Sequence, residues 1–360
     1  HLLSARSVEW LDRLETEIDN LRAALRWALP AEPETAVRLA SATLQFWIYR
    51  SYLSEGREWL GAALAQSEAA SGSRPEMRLN LLHGLGVLAR LHGDYAAARK
   101  MYEQSLSEGR AIGNRRRIAL SSNGLGTILQ LQGETRAARE CFEEGLRVSR
   151  ELGDRQAVAY SLLCLGIALG LDGEPARARQ VLEESLTILA EFGNKEAISN
   201  NLNNLGSVAF DEGDYDAAQR YFVEGLMLAR EVGNKVNITD ALNGLGALAA
   251  ERGDFETSAE LAGAAETLGR SIGFNKEPAE RDFCETYIAK TKAGLSKEAF
   301  AAAFNRGSAM NLDDAFTPAG HHEEEQFTEI IIEKRQFSRI VIEEKLTGPS
   351  EKRVTPRRKA

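Results

Sequence analysis

The chain has 360 residues, 43% of them hydrophobic and 27% charged, the composition of an ordinary folded protein with one extended or two compact domains. A formal charge of -9 and a pI near 5.4 argue against a general nucleic-acid-binding surface, which needs concentrated Lys and Arg, and disfavour acidic substrates. No apolar run reaches the roughly 18 residues that span a bilayer, so no membrane is expected, and the amino end lacks the order of a signal peptide.

Cys141, Cys164 and Cys284 lie far apart without paired spacing, which predicts buried thiols in a reducing compartment, the cytoplasm, rather than a disulfide framework or a zinc site. The first residue is His1 rather than Met, which suggests a piece of a longer polypeptide.

In residues 1–30, "SVEWLDRLETEIDNLRAALRWAL" spaces Leu11, Leu14, Ile18, Leu21, Leu25 and Ala28 three and four apart. This is one amphipathic helix, suited to packing on the first repeat. Residues 31–74, with "ETAVRLASATLQFWIYRSYLSEGREWLGAAL", read as a degenerate helical hairpin.

Residues 75–274 repeat with a period of 40. Leu-Gly pairs begin at Leu85, Leu125, Leu165, Leu205 and Leu245. Gly93, Gly133, Gly173, Gly213 and Gly253 are each followed by Asp or Glu, and Gly113, Gly153, Gly193, Gly233 and Gly273 fall half a period later. Glycine closes a helix in the left-handed conformation, and Asp or Asn after it caps the next one. Two breaks per period therefore predict two helices. The helical glycine after each Leu costs roughly 1 kcal/mol against alanine, so it calls for a close approach of helices, with Ala98, Ala138, Ala178, Ala218 and Ser258 as the small facing side.

The stretches "LGVLARLHGDYAAARKMYEQSL" and "LGSVAFDEGDYDAAQRYFVEGL" resemble the tetratricopeptide repeat, with its Leu-Gly, its Gly-Asp-Tyr turn and its small residue followed by an aromatic. The resemblance covers residues 34–273. It implies an all-α, right-handed α-solenoid of about six 40-residue hairpins, of the kind found in peptide-binding proteins.

In such a stack the first helices line the concave side. Two residues before each Leu-Gly pair stand His83, Asn123, Leu163, Asn203 and Asn243. A primary amide both donates and accepts, so the resemblance implies an asparagine ladder that pairs with the backbone of an extended peptide or protein segment. Asn200, Asn203, Ser207 and Phe210 share one helical face, Thr127 and Gln130 continue the polar groove, and Arg90 adds charge at its amino-terminal side. Leu163 and Cys164 interrupt the ladder and point to an apolar pocket there. The bland reading is that such asparagines only cap helices or face solvent. The run RRR at 115–117 is matched in the corresponding slots of later repeats only by Arg155, Lys195-Glu196 and Lys235-Val236, so no basic stripe for nucleic acid is built.

Residues 275–316 read as a helical cap, with two short helices expected in "GLSKEAFAAAFNRGSAMNLDDAF". The amino-terminal helix, "FWIYRSYLSEGREWL" and this cap together resemble the repeat arm of large bacterial regulators that join a STAND-type ATPase to a helical arm, among them LuxR-type transcription factors and some adenylate cyclases. The resemblance implies an upstream ATPase module in the intact chain. No GxxxxGK[ST] phosphate loop, cyclase domain or helix-turn-helix is recognisable here.

Residues 317–360 form an irregular or β-prone tail, with "HHEEE", two Ile-rich runs at 330–332 and 340–342, and a basic end. Neither metal nor cofactor is called for, and no HExxH, GxSxG or paired-cysteine motif appears. The reading is a non-enzymatic protein- or peptide-binding scaffold. Its alternatives are a purely structural oligomerisation solenoid and a small-molecule-sensing arm.

Overall fold

The computed structural model describes residues 7–50, 52–69, 75–272, 276 and 278–310. The break at Gly273 and the whole tail, with its histidine cluster and Ile-rich runs, lie outside the described residues. The described residues form 17 helices and no strand, packed as an all-α solenoid.

Instead of one amino-terminal helix there are two, α1 (Ser7–Thr16) and α2 (Ile18–Ala31), with Glu17 between them. Then come α3 (Pro33–Ala42), α4 (Leu44–Tyr49) and α5 (Leu53–Ala69). Thr43 parts α3 from α4: its hydroxyl donates to the Leu39 carbonyl at 2.9 Å and accepts the buried Trp47 Nε1 at 3.1 Å, the kind of back-bonding that bends a helix.

Five hairpins follow: α6 (Pro75–Leu91) with α7 (Tyr95–Ala111), α8 (Arg115–Leu131) with α9 (Thr135–Leu152), α10 (Arg155–Leu171) with α11 (Pro175–Phe192), α12 (Lys195–Asp211) with α13 (Tyr215–Val232), and α14 (Lys235–Glu251) with α15 (Phe255–Ser271). Among the described residues of 294–316, which end at Met310, there is one helix, α17 (Lys297–Ser308); the rest of the stretch in which two short helices were expected lies outside the described residues. The helix before α17, α16 (Pro278–Gly294), is a full 17 residues.

The nine turn glycines from Gly93 to Gly253 all have φ between 62° and 80°, the left-handed conformation their spacing predicts. After them, Asp94, Asn114, Asp154, Asn194, Asp214, Asn234 and Asp254 accept from the backbone N–H three residues on, as at Asn114 Oδ1 to Arg117 N, 3.0 Å. Glu134 and Glu174 do not cap. Their longer carboxylates instead take Arg99 and Arg139 of the preceding hairpin, each at 2.6 Å.

Successive first helices touch one another, α6 with α8, α8 with α10 and α12 with α14, whereas successive second helices make no comparable contact. The stack therefore bends with its first helices inside. The expected small residues Ala98, Ala138, Ala178, Ala218 and Ser258 are fully buried, but the closest neighbour of the helical glycine is another side chain. A methyl group on Gly86 would stand 2.7 Å from the Tyr102 ring, on Gly126 2.6 Å from Phe142, on Gly166 2.5 Å from Leu182, and on Gly206 2.7 Å from Phe222. The second helix thus drives a large side chain against the backbone of the first, and only glycine leaves room.

Two helical glycines separate this effect from helix propensity. Gly206→Ala is expected to lower the urea midpoint by about 1–3 kcal/mol of stability through overpacking. Gly109→Ala would place its methyl no nearer than 3.6 Å, at Ile118, and is expected to gain up to about 1 kcal/mol. Changes of the same sign would count against the packing account.

Candidate functional site

One slot of each first helix faces inward, and its chemistry varies along the stack: Asn80, Leu120, Tyr160, Asn200 and Asp240. Tyr160 is 46% exposed. Thr127, Gln130 and Arg90 are half-buried along the same faces, and Ser207 is exposed.

The asparagines lie deeper. Asn123 is 1% exposed, and Asn203 and Asn243 are each 6% exposed. Asn123 Nδ2 donates to Ser161 Oγ of the next hairpin at 2.8 Å, and Asn203 Nδ2 donates to the Asn237 carbonyl at 2.8 Å. Their Oδ1 atoms turn to the second helix of their own hairpin, so close that a methyl on Gly145 would stand 2.2 Å from Asn123 Oδ1 and one on Gly225 2.6 Å from Asn203 Oδ1. Asn243 Oδ1 accepts the Tyr287 hydroxyl of α16 at 3.0 Å. Asn200 is half-buried and tied to its neighbours: Asn204 Nδ2 donates to its carbonyl at 2.8 Å, and its own amide reaches Asn237 Oδ1 at 3.4 Å. Leu163 and Cys164 are both 8% exposed.

At the carboxyl end, Tyr287 fills the place beside Gly246, at 3.2 Å from a methyl built there, where the fifth hairpin's own second helix offers only Ala262. Phe283 meets Phe210 edge-on with ring centroids 5.6 Å apart. Helix α16 therefore covers that end of the inner face.

At the amino end, the half-buried His83 stacks edge-on against Tyr102 at 5.7 Å. Burial and the neighbouring Arg117 push its imidazole down to about 3. Of the RRR run, Arg115 pairs with Glu151 and Arg116 with Asp154, while Arg117 donates to Asn80 Oδ1.

Metal or thiol chemistry finds little footing. Among the described residues no group of three or more His, Cys, Asp and Glu could hold a metal ion. Burial pushes the Cys141 thiol up to about 11 and Cys164 to about 12, far from the low values of reactive thiols. No helix of the described residues is long and apolar enough to cross a membrane.

Comparison with known proteins bears on this arrangement. The family model for the tetratricopeptide repeat matches residues 117–191 and 197–270. Those hairpins are tetratricopeptide repeats. Among solved structures, the chain is similar to NprR in complex with its cognate peptide NprX (14% identity, 89% of this chain and 98% of that chain, TM-score 0.55). It is similar also to a Rap protein complexed with competence and sporulation factor (11%, 82% and 86%, 0.56) and to BtubC from P. vanneervenii (19%, 62% and 92%, 0.51). Likeness at these identities is one of fold. Comparison with curated proteins gives no match.

Tyr160, Arg117 and Tyr287 were missing from the residues expected at the site. For Tyr160 the signal is present in the sequence: it takes the slot of Asn200 one repeat earlier. The cap lies outside the period, so nothing in the sequence aligns Tyr287 with Asn243.

Two measurements probe this geometry. Gly145→Ala and Asn123→Ala are each expected to destabilise the stack, and the double variant to cost less than their sum by about 1 kcal/mol, since the new methyl's two closest approaches, 2.2 and 2.9 Å, are to that amide, with the Ala119 carbonyl next at 3.2 Å; strict additivity would contradict the pairing. The unfolded chain takes a proton on His83 below about pH 6.5, whereas the folded one resists down to about 3. That contribution is full above about pH 6.5 and is lost as pH falls toward 3. His83→Gln is expected to flatten the fall of melting temperature between about pH 7 and 5, and an unchanged slope would contradict it.

Proposed function

We propose that the protein is a non-enzymatic scaffold that holds an extended peptide or protein segment along the inner face of α6, α8, α10 and α12. The observation that carries the reading is the run of polar side chains on that face, Thr127, Gln130, Asn200 and Asn204, all half-buried, and the exposed Ser207, with Tyr160 beside them; the Gln130 Oε1 is buried and has no partner among the described residues. Such groups can pair with the N–H and C=O of an extended backbone, each bond contributing about 0.5–1.5 kcal/mol. In this reading Asn123, Asn203 and Asn243 hold the helices in register behind the contact surface, while His83 and Arg90 border it. Likeness in fold to NprR with its cognate peptide and to Rap with competence and sporulation factor supports the reading.

The resemblance of residues 1–316 to the arms of STAND-type regulators extends it. In the intact protein the arm would restrain or release an upstream ATPase, and peptide binding would shift an existing equilibrium between the two states. A cytoplasmic location belongs to the same proposal.

The test is selection from a random dodecapeptide display library against the whole chain, followed by fluorescence anisotropy on the selected peptides. Gln130→Ala, Asn200→Ala and Ser207→Ala combined should weaken binding by about tenfold or more, as two or three lost hydrogen bonds require, with helicity and melting unchanged. Failure to select any peptide, or undiminished binding by the triple variant, would defeat the proposal.

A further inference from the structure

The inner face changes character at the third hairpin. Tyr160, Cys164, Ile167 and Leu171 follow one another along α10 at steps of four, three and four and so share one side of the helix. None carries a charge or an amide, and Tyr160 and Leu171 are 46% and 54% exposed. The equivalent side of α12 has Asn200, Asn204, Ser207 and Asp211, and that of every other first helix in the repeats has at least one polar residue. The face is also hollow. A methyl built on Gly170 would meet nothing nearer than 3.6 Å, at Val208, where the neighbouring hairpins have Gln130 and Phe210 in the same slot. After Arg155 no residue of α10 is charged, and a helix apolar all round is ordinarily covered on every side. Other exposed apolar side chains, among them Ile112, Leu152, Phe192 and Val232, stand singly at the ends of second helices, which calls for no cover.

The chain itself has a segment that matches this face. FTEIIIE at 327–333 returns as FSRIVIE at 337–343: Phe, two Ile and Glu recur unchanged, while Thr and Ser, and Ile and Val, replace one another. A polar stretch has no need of a twice-written Phe-x-x-Ile-x-Ile pattern, and these β-branched runs favour an extended backbone. Reach permits the match. Met310 packs beside the core of the fourth and fifth hairpins, and sixteen residues separate it from Phe327. At no more than about 3.3–3.6 Å each they span up to roughly 55 Å. Helix α10 is two first helices away from α14, and packed neighbours are about 8–10 Å apart, so the distance to cover is on the order of 20 Å.

We infer that residues 327–343 of the same chain dock on the inward side of α10, against Tyr160, Ile167 and Leu171, and occupy the groove when no other peptide does. The inference rests on the reading of the inner face as a peptide groove and names its resident occupant. The apolar side of α10 takes the Phe and Ile side chains, and Asn200, Asn204 and Ser207 on the adjacent α12 offer hydrogen bonds to the backbone of the same extended run. A tethered segment competes at an effective concentration on the order of 1 mM, so even a weak motif holds the site, and a second copy of the motif raises its occupancy further. An incoming partner then binds only by displacing the segment.

Two measurements on the whole chain decide the matter. In the first, p-benzoylphenylalanine replaces Phe327 or, separately, Phe337, the protein is irradiated, and cross-linked tryptic peptides are identified by mass spectrometry. At least one position should label the peptide 156–177, which has the entire face, within a band of monomer mass. Leu171→Asp should reduce that labelling about tenfold or more, because a carboxylate would then have to be covered by apolar side chains; the site is exposed, so helicity should not change. In the second, dodecapeptides are selected from the display library against a chain with Ile330, Ile332, Ile340 and Ile342 all replaced by Asp. They should bind the parent about tenfold more weakly than this variant, as expected when the segment holds about nine-tenths of the population closed.

Cross-links that miss residues 156–177, or that persist in Leu171→Asp, would overturn the docking on α10 whatever the peptides do. Labelling of 156–177 found only at dimer mass would assign the segment to a second copy and overturn the same-chain occupant. Equal peptide affinity in parent and variant would overturn the competition and leave the groove standing. If the cross-links fall as expected but no peptide is selected even against the variant, the docked segment survives and the reading of the groove as a site for other peptides falls.

Discussion

The contact on which the structure depends is a large side chain driven into the backbone of a neighbouring helix. Tyr102, Phe142, Leu182 and Phe222 are nearly or fully buried, and each sits where the facing residue cannot carry even a methyl group. Packing at this range yields dispersion contacts along a whole ring face. It also fixes the separation of the two helices in a hairpin, and with it the curvature of the stack. In two places the same ring serves the next junction too: a methyl on Gly124 would stand 2.5 Å from Tyr102, and one on Gly244 2.4 Å from Phe222. A helical glycine that looks costly in isolation is therefore the mate of a particular large side chain, a ring at Gly86, Gly126 and Gly206 and Leu182 at Gly166.

Such close approach leaves no room for solvent between hairpins, so polar groups in the seams must find partners within the protein. They do so through short side chains. Ser105 meets Ser121 at 2.8 Å, Ser185 reaches the Ala159 carbonyl at 2.8 Å, and Ser258 meets Thr291 of α16 at 2.7 Å. Asn237 works in the same way, donating to Ser199 Oγ at 2.7 Å. Not every group succeeds: Asn201 is fully buried with neither amide atom bonded among the described residues, and Ser149 Oγ, Asn123 Oδ1 and Asn203 Oδ1 are likewise without partners there. Exposed ion pairs such as Arg110 with Glu144 and Arg150 with Glu184 run along the second helices and add little energy. They pair opposite charges between neighbouring second helices.

The repeat, its turns and its caps were legible because each rests on local chemistry: a left-handed glycine and a following Asp or Asn repeated every 40 residues. The direction of the asparagines was not. Helical period tells which residues share a face, but it cannot tell whether a side chain stops at that face or sinks beside it. The answer for Asn123 lies 22 residues away, at Gly145, where the missing side chain makes the space. The split of the amino-terminal helix at Glu17 escaped for a similar reason. It lies where no repetition constrains the chain.

The third hairpin shows how these positions are linked. Where Asn123 and Asn203 face Gly145 and Gly225, the third hairpin has Leu163, and the residue in the glycine's place is Ser185. Remove the amide and the glycine is no longer needed; the serine hydroxyl then bonds to the Ala159 carbonyl. Asparagine and glycine are thus present together in the second and fourth hairpins and absent together in the third; in the fifth, Asn243 stands with Ala265 and turns its Oδ1 to the Tyr287 hydroxyl instead. A group committed in this way to the seam is poorly placed to distinguish one peptide from another. The slot that opens inward has the opposite character, changing from Asn80 to Leu120, Tyr160, Asn200 and Asp240 while its geometry repeats. A regular frame with unlike side chains at one inward position has the means to discriminate along an extended segment, because each hairpin can present a different chemistry at a fixed spacing.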